Sequence, residues 1–207
     1  MKIFKLFFSM ILVTAIFQRC QENDLLETYM LDSDQSLLEW KGLSNANSKS
    51  GILSVAANNI KVKQGRILSG TLTIPISSIQ PTDHTDNFHP MILEHPDSEK
   101  KLKDNPTIIF EIKEVTLLSG IHPSGVKGAN WWIRGDMTMW GQTHQISFPA
   151  KIKHNGNDME LEAKFTVDRM IWGMDFGMDS TTVGYQPNSL VDLHLKGKGR
   201  INNRLVI

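Results

Sequence analysis

Three histidines, His84, His89 and His95, share one short segment with Asp83, Asp86 and Glu94. Imidazole and carboxylate are both zinc ligands. Their spacing here is loose and matches no compact metal motif, so no metal is expected. Asp168 and Arg169 are adjacent, so they point to opposite faces of a strand, and an arginine stays protonated. The pair reads as a structural ion pair at a strand end rather than as an acid and a base. His144 falls in the apolar phase of its strand, where it either meets a ligand headgroup or serves as a satisfied inward histidine. Cys20 is the only cysteine, and no Gly-x-Ser-x-Gly elbow, phosphate loop or Cys-x-x-Cys is present. With no nucleophile to offer, the chain is not expected to be an enzyme.

These residues sit in a chain of 207 residues with 22 basic and 22 acidic side chains. A zero net charge argues against nucleic acid as a partner, since phosphate binding draws on a basic excess. The first 17 residues carry Lys2 and Lys5 and then an apolar run from Leu6 to Phe17. That run fits the core of a secretory signal and is short for a membrane span. Residues 1–19 are therefore expected to be a leader, and losing Lys2, Lys5 and Arg19 with it leaves 19 basic against 22 acidic side chains. Cys20 follows the apolar run and precedes Gln21-Glu22-Asn23-Asp24, the placement of the acylated cysteine of a bacterial lipoprotein. The expected location is the cell envelope, periplasmic or anchored to a membrane through Cys20, because acyl chains on a terminal residue supply anchoring. Residues 20–31 read as a linker, and the folded domain as 32–200.

From Leu37 onward apolar residues recur at every second position, the period at which side chains share one face of a strand. Leu68, Gly70, Leu72, Ile74 and Ile76 form one such row. Ile108, Phe110 and Ile112 form another, whose phase slips at Lys113-Glu114 before Val115 and Leu117 and predicts a bulge. Trp131 to Trp140 and His144 to Ile152 read as a hairpin. Met159, Leu161, Ala163, Phe165 and Val167 alternate with Glu160, Glu162, Lys164, Thr166 and Asp168 in a second hairpin, and Val191 to Gly197 supplies a last strand. With Leu37 to Gly42 and Ile52 to Val62 added, about eight strands result, and few connections are long enough for a parallel crossover. The fold class is all-β and antiparallel, a sandwich or an eight-stranded barrel, of which the barrel removes exposed edges. Charged outward phases exclude a lipid-facing outer-membrane barrel.

The segment from Gln80 to Asn105 is too long for a simple connection and is expected to carry one or two short helices, the second around Ser98 to Lys103. A barrel of this size has room for side chains or one small ligand. If it holds a ligand, the inward candidates are Phe110, Trp131, Met137, Met139, His144, Phe148 and Phe165, and the candidates on the long loop are Phe88, Met91 and Leu93.

Five pieces of the chain, in order, resemble the YceI-like family of exported polyisoprenoid-binding or lipid-binding proteins. They are Leu38-Glu-Trp40 with Gly51; Gly70-Thr-Leu-Thr-Ile-Pro-Ile-Ser-Ser-Ile79 with Asp83; Leu102 to Phe110; Gly135-Asp-Met-Thr-Met-Trp-Gly-Gln-Thr-His144; and Phe165-Thr-Val-Asp-Arg169 with Trp172-Gly173. The resemblance implies a lipocalin-like barrel that shelters a polyisoprenoid, an isoprenoid quinone or a related long apolar chain. It implies no further cofactor. The alternative is an envelope stress or interaction protein whose barrel is packed and holds no lipid.

Overall fold

The computed structural model describes residues 25–43, 49–82, 96–120, 122–175 and 188–206. Among the described residues there are eleven strands: β1 (Leu25–Leu31), β2 (Leu37–Gly42), β3 (Ser50–Ser54), β4 (Ala57–Lys63), β5 (Arg66–Pro75), β6 (Gln80–Pro81), β7 (Thr107–Leu117), β8 (Trp131–Met139), β9 (Gln142–Asn155), β10 (Asp158–Asp168) and β11 (Leu190–Val206). Every pairing is antiparallel.

Two strands of the wall are each broken in two. β1 pairs with the C-terminal half of β11, and β2 with its N-terminal half. β3 and β4 flank them in the same way, and Ala56 between them bridges to Thr73 of β5. Counted this way the barrel has eight strands and is closed in the order β11, β1/β2, β3/β4, β5, β7, β8, β9, β10. The corner between β1 and β2 is held by Ser36, which is 2% exposed. Its hydroxyl donates to the Lys198 carbonyl at 3.2 Å and accepts from the Lys198 N–H at 3.0 Å, so its burial leaves no polar atom unpaired.

The period-two reading holds through the wall. Met159, Leu161 and Ala163 are buried while Glu160 and Lys164 face water, because a slip of one residue would bury charges. The β8–β9 hairpin turns at Trp140 and Gly141, both with positive φ, as a two-residue turn matched to strand twist requires. The ladder between β7 and β8 shifts register between Ile112 and Glu114, where the apolar phase slips.

Three expectations are corrected. Residues Leu25–Leu31 are strand β1 and not linker; Tyr29 and Leu31 are buried, but Glu27 occupies the same phase and masks the alternation. Leu68 is 44% exposed, because the β4–β5 ladder shifts between Lys61 and Val62 and turns Ile67 inward instead. β11 runs to Val206, well past Gly197 and past the expected domain end, because its second half pairs with β1. The helix expected around Ser98 to Lys103 is α1 (Pro96–Asp104), with Leu102 reaching the core and Lys101 lying 4.9 Å above the Trp140 ring. The other helical turn expected in this insertion lies outside the described residues.

Candidate functional site

The two ends of the barrel differ. At one end lie the tight turns at residues 64–65 and 156–157 and the start and end of the connection from β7 to β8, whose Ser124 reaches the cleft. There the inward side chains Tyr29, Ile60, Val62, Ile67, Val115, Ile133 and Met159 are essentially without exposure. Asn130 extends the wall by mimicking a backbone: its side chain donates to the Ile152 carbonyl and accepts from the Ile152 N–H, both at 2.9 Å. The Tyr29 hydroxyl donates to Glu27 Oε2 at 3.2 Å. Burial, followed by the neighbouring Glu27 carboxylate, pushes its pKa up to about 12.

The other end receives α1, a 3₁₀ turn at Ile76–Ser78 and another at Arg169–Trp172. Here the inward phase is only partly covered: Trp40, Ile146, Phe165 and Val191 are half-buried. Among the described residues the β9–β10 ladder ends at Ala150↔Ala163, and the next residue of β9 is Pro149, which has no N–H to donate. Beyond it β9 pairs only with β8, and β10 only with β11.

A cleft of about 580 Å³ occupies this region. The inward phase lines it with Trp40, Gly51, Phe165 and Leu193. The outward phase adds Glu39, Lys41, Ile52, Lys164, Thr166, Asp192 and His194, and Ser50, Thr82 and Ser124 complete its edge. Gly51 is required beneath Trp40, since a Cβ there would lie 2.8 Å from the indole nitrogen and 2.6 Å from the Gln80 carbonyl oxygen. Below the cleft the Phe165 ring stacks on Phe148 with centroids 4.1 Å apart, and Phe148 lies 5.4 Å from Phe110. Gly135 lets Phe110 lie flat on β8; a Cβ would come within 2.6 Å of its ring.

Much of the polar rim is internally paired. His194 Nδ1 lies 2.8 Å from Glu39 Oε2 and Nε2 lies 2.9 Å from Glu162 Oε1, which ties β2, β11 and β10 together. Lys196 reaches Glu39 at 2.5 Å, and Thr166 donates to Asp192 at 2.6 Å. Partial burial works to raise the Glu39 pKa, but the Lys196 ammonium and His194 outweigh it and hold the carboxyl below its usual value. Lys41 and Lys164 face the cleft from opposite sides of β11. The arrangement can cover an apolar chain on one side and meet a polar headgroup on the other.

Of the residues named from sequence, Phe165 lines the cleft. Phe110, Met137, Met139 and Phe148 are buried in the core and do not line it. Trp131 is half-buried at the far end. His144 packs edge-on against Trp172 at 5.4 Å, and the Trp172 indole donates to the Met137 carbonyl at 3.0 Å. Asp168 accepts from the Met170 N–H and caps the 3₁₀ turn, while the Arg169 guanidinium donates to the Met174 carbonyl. Phe88, Met91, Leu93, Cys20 and the three clustered histidines lie outside the described residues. The cleft residues Trp40, Leu193, Ile52, Lys164 and His194 carry no local mark that separates them from other wall positions. The signal that bears on them is Pro149, which ends a ladder several strands' width away in sequence.

The interior of an antiparallel eight-stranded barrel is filled by side chains or holds one small ligand; among the described residues this one is filled at one end and only partly covered at the other, beside the cleft. The chain belongs to the YceI-like domain family, whose family model matches residues 29–196. Among solved structures it resembles a polyisoprenoid binding domain from Saccharophagus degradans implicated in plant cell wall breakdown. The TM-score is 0.60 at 8% identity, over 84% of this chain and 99% of that one. It also resembles Burkholderia cenocepacia BcnA, with a TM-score of 0.60 at 14% identity over 81% of this chain and 98% of that one. At these identities the likeness is one of fold. No curated protein sequence matches the chain significantly.

Proposed function

We propose that this is an exported lipid-binding protein, which shelters the apolar chain of a polyisoprenoid, an isoprenoid quinone or a related amphiphile at the open end of its barrel. The carrying observation is the two-sided cleft, apolar along Trp40, Phe165 and Leu193 and charged along Lys41, Lys164 and Asp192. Its 580 Å³ falls within the roughly 300–1,000 Å³ typical of ligand pockets. Each methylene moved from water into such a site contributes about 0.8 kcal/mol, enough to offset association costs with a modest chain. The protein binds and does not catalyse, and its leader and Cys20 direct it to the cell envelope, where acylation of Cys20 anchors it. Membership of the YceI-like family and the fold shared with a polyisoprenoid binding domain support this reading.

The test is native mass spectrometry of protein purified under gentle extraction, with lipid analysis of the released ligand. Lipid near one mole per mole of protein is expected. Protein that carries none favours a second reading, which the Phe110–Phe148–Phe165 packing supports: a filled barrel that acts through its surface as a stress or interaction protein.

A further inference from the structure

We propose that the filled end of the barrel docks on the bilayer that holds the acylated Cys20, and that the cleft is thereby held away from that membrane. This orientation rests on the anchoring reading above. β1, β4 and β11 continue past the buried pair Tyr29 and Ile60 as a three-stranded tip. Leu25 and Val206 are opposite each other there and are 37% and 70% exposed, and Leu205, opposite Leu26, is 52% exposed. Apolar side chains gathered on one exposed edge mark an interaction surface.

Two observations make lipid the partner. Cys20 stands five residues before Leu25, and that length of chain, fully extended, reaches at most about 18 Å. An acyl group on Cys20 therefore keeps this tip, and not the opposite end, beside the bilayer. The second observation is charge. One row across the tip reads Leu205, Leu26, Lys63 and Arg66, two leucines followed by two cations. The neighbouring carboxylates of Glu27 and Asp158 are held by Arg204 and Arg200 at 3.1 and 3.0 Å, while Arg66 makes no ion pair among the described residues. An apolar edge continued by cations suits the boundary between acyl chains and anionic headgroups. At the opposite end Met170, Ile171 and Leu190 are also exposed, but Asp168 is paired with Leu190 and Asp175 follows, and an anionic surface repels both. Leu193, at the level of the cleft, lies thirteen positions from Val206 on β11. At about 3.4 Å per residue and a strand tilt of about 40°, the cleft stands about 30 Å from the tip along the barrel axis. It exchanges its amphiphile on the aqueous side rather than within the leaflet that holds the anchor.

The experiment uses the mature protein purified from membranes in detergent and reconstituted into vesicles of phosphatidylglycerol and phosphatidylethanolamine. With Cys20 acylated, a single new thiol, Val206→Cys or Met170→Cys, carries an NBD label, and a nitroxide lipid in the vesicles reads its proximity by quenching. Quenching at Val206→Cys should exceed that at Met170→Cys by at least about threefold, because an interfacial surface sits at the headgroup boundary. Adding Leu25→Asp and Leu205→Asp leaves the tether in place but should lower quenching at Val206→Cys at least about twofold, since charged side chains no longer enter the boundary; a thermal melt confirms that this variant is folded. Equal quenching at the two labels, or stronger quenching at Met170→Cys, overturns the orientation. Unchanged quenching in the folded aspartate variant means that the tether alone places the tip, and overturns the docking. Protein recovered in the soluble fraction with Cys20 unmodified overturns the anchoring reading and this orientation with it, and leaves the lipid-binding cleft standing.

Discussion

The filled end and the open end of this barrel are built from the same strands, yet their inward side chains meet different surroundings. Around Tyr29, Ile133 and Met159 every strand has both neighbours and two of the connections are two-residue turns, so the inward side chains are fully buried as in an ordinary core. Around Trp40, Phe165 and Val191 the β9–β10 ladder has stopped and apolar surface stays half-covered. The comparison teaches where a small barrel can place a binding site. The uncovered end is tolerable because its strands are continuous with strands anchored in the filled end, and binding regions are drawn from the less stable parts of a fold.

The sharpest way to break that contrast is a pair of truncations on one strand. Leu161→Ala, in the filled half, should cost about 2–5 kcal/mol in denaturant unfolding, and Phe165→Ala, four residues on, about 1–2 kcal/mol because part of its ring is already in contact with water. Equal costs would mean that the open half is packed as tightly as the other. The two ring-bearing glycines sharpen the contrast next. Gly135→Ala drives a Cβ into the Glu111 carbonyl and the Phe110 ring, and Gly51→Ala into the Gln80 carbonyl and Trp40; each should cost about 1–3 kcal/mol. Only Gly51→Ala should also lower the lipid carried by the purified protein, since of Phe110 and Trp40 only Trp40 lines the cleft.

The smallest effects come from pH, and the two halves should fail at opposite ends of the scale. The Tyr29 pKa is raised from 10.0 to about 12 in the fold. Its contribution is therefore present below pH 10 and lost as pH rises through about 12, and Tyr29→Phe should remove about 1–2 kcal/mol of that alkaline loss. The Glu39 carboxyl is lowered from 4.5. Its contribution is present above that value and lost as pH falls through the lowered one. Because Glu39 is partly exposed and screened, Glu39→Gln should flatten the acid limb by under about 1 kcal/mol. Urea midpoints across the two pH ranges measure both.

Most of the wall was legible from the residues because its outward phase is charged and a one-residue slip is expensive; Glu160, Glu162 and Lys164 leave β10 no second register. The family resemblance pointed to the same barrel. β1 was hidden because Glu27 sits in its inward phase, where the Arg204 guanidinium meets it at 3.1 Å from the far end of the chain. Leu68 misled because a bulge reverses the faces without changing the composition. The cleft was least legible of all. Trp40 and Leu193 share the phase of true core residues such as Leu38 and Leu195, and what distinguishes them is where a ladder between two other strands ends, a property of pairing and not of any one residue.

The 17 residues of β11 bond to β10 along one edge and to both β2 and β1 along the other. The contact Leu25↔Val206 joins positions separated by nearly the whole described chain. Closing so long a loop carries an entropic cost before any contact rewards it, and folding rates fall as contacts become more distant in sequence. Until Leu190–Val206 arrives, β1, β2 and β10 each present an unpaired edge open to pairing with another chain. Closure of the barrel therefore waits on β11, which alone covers all three edges.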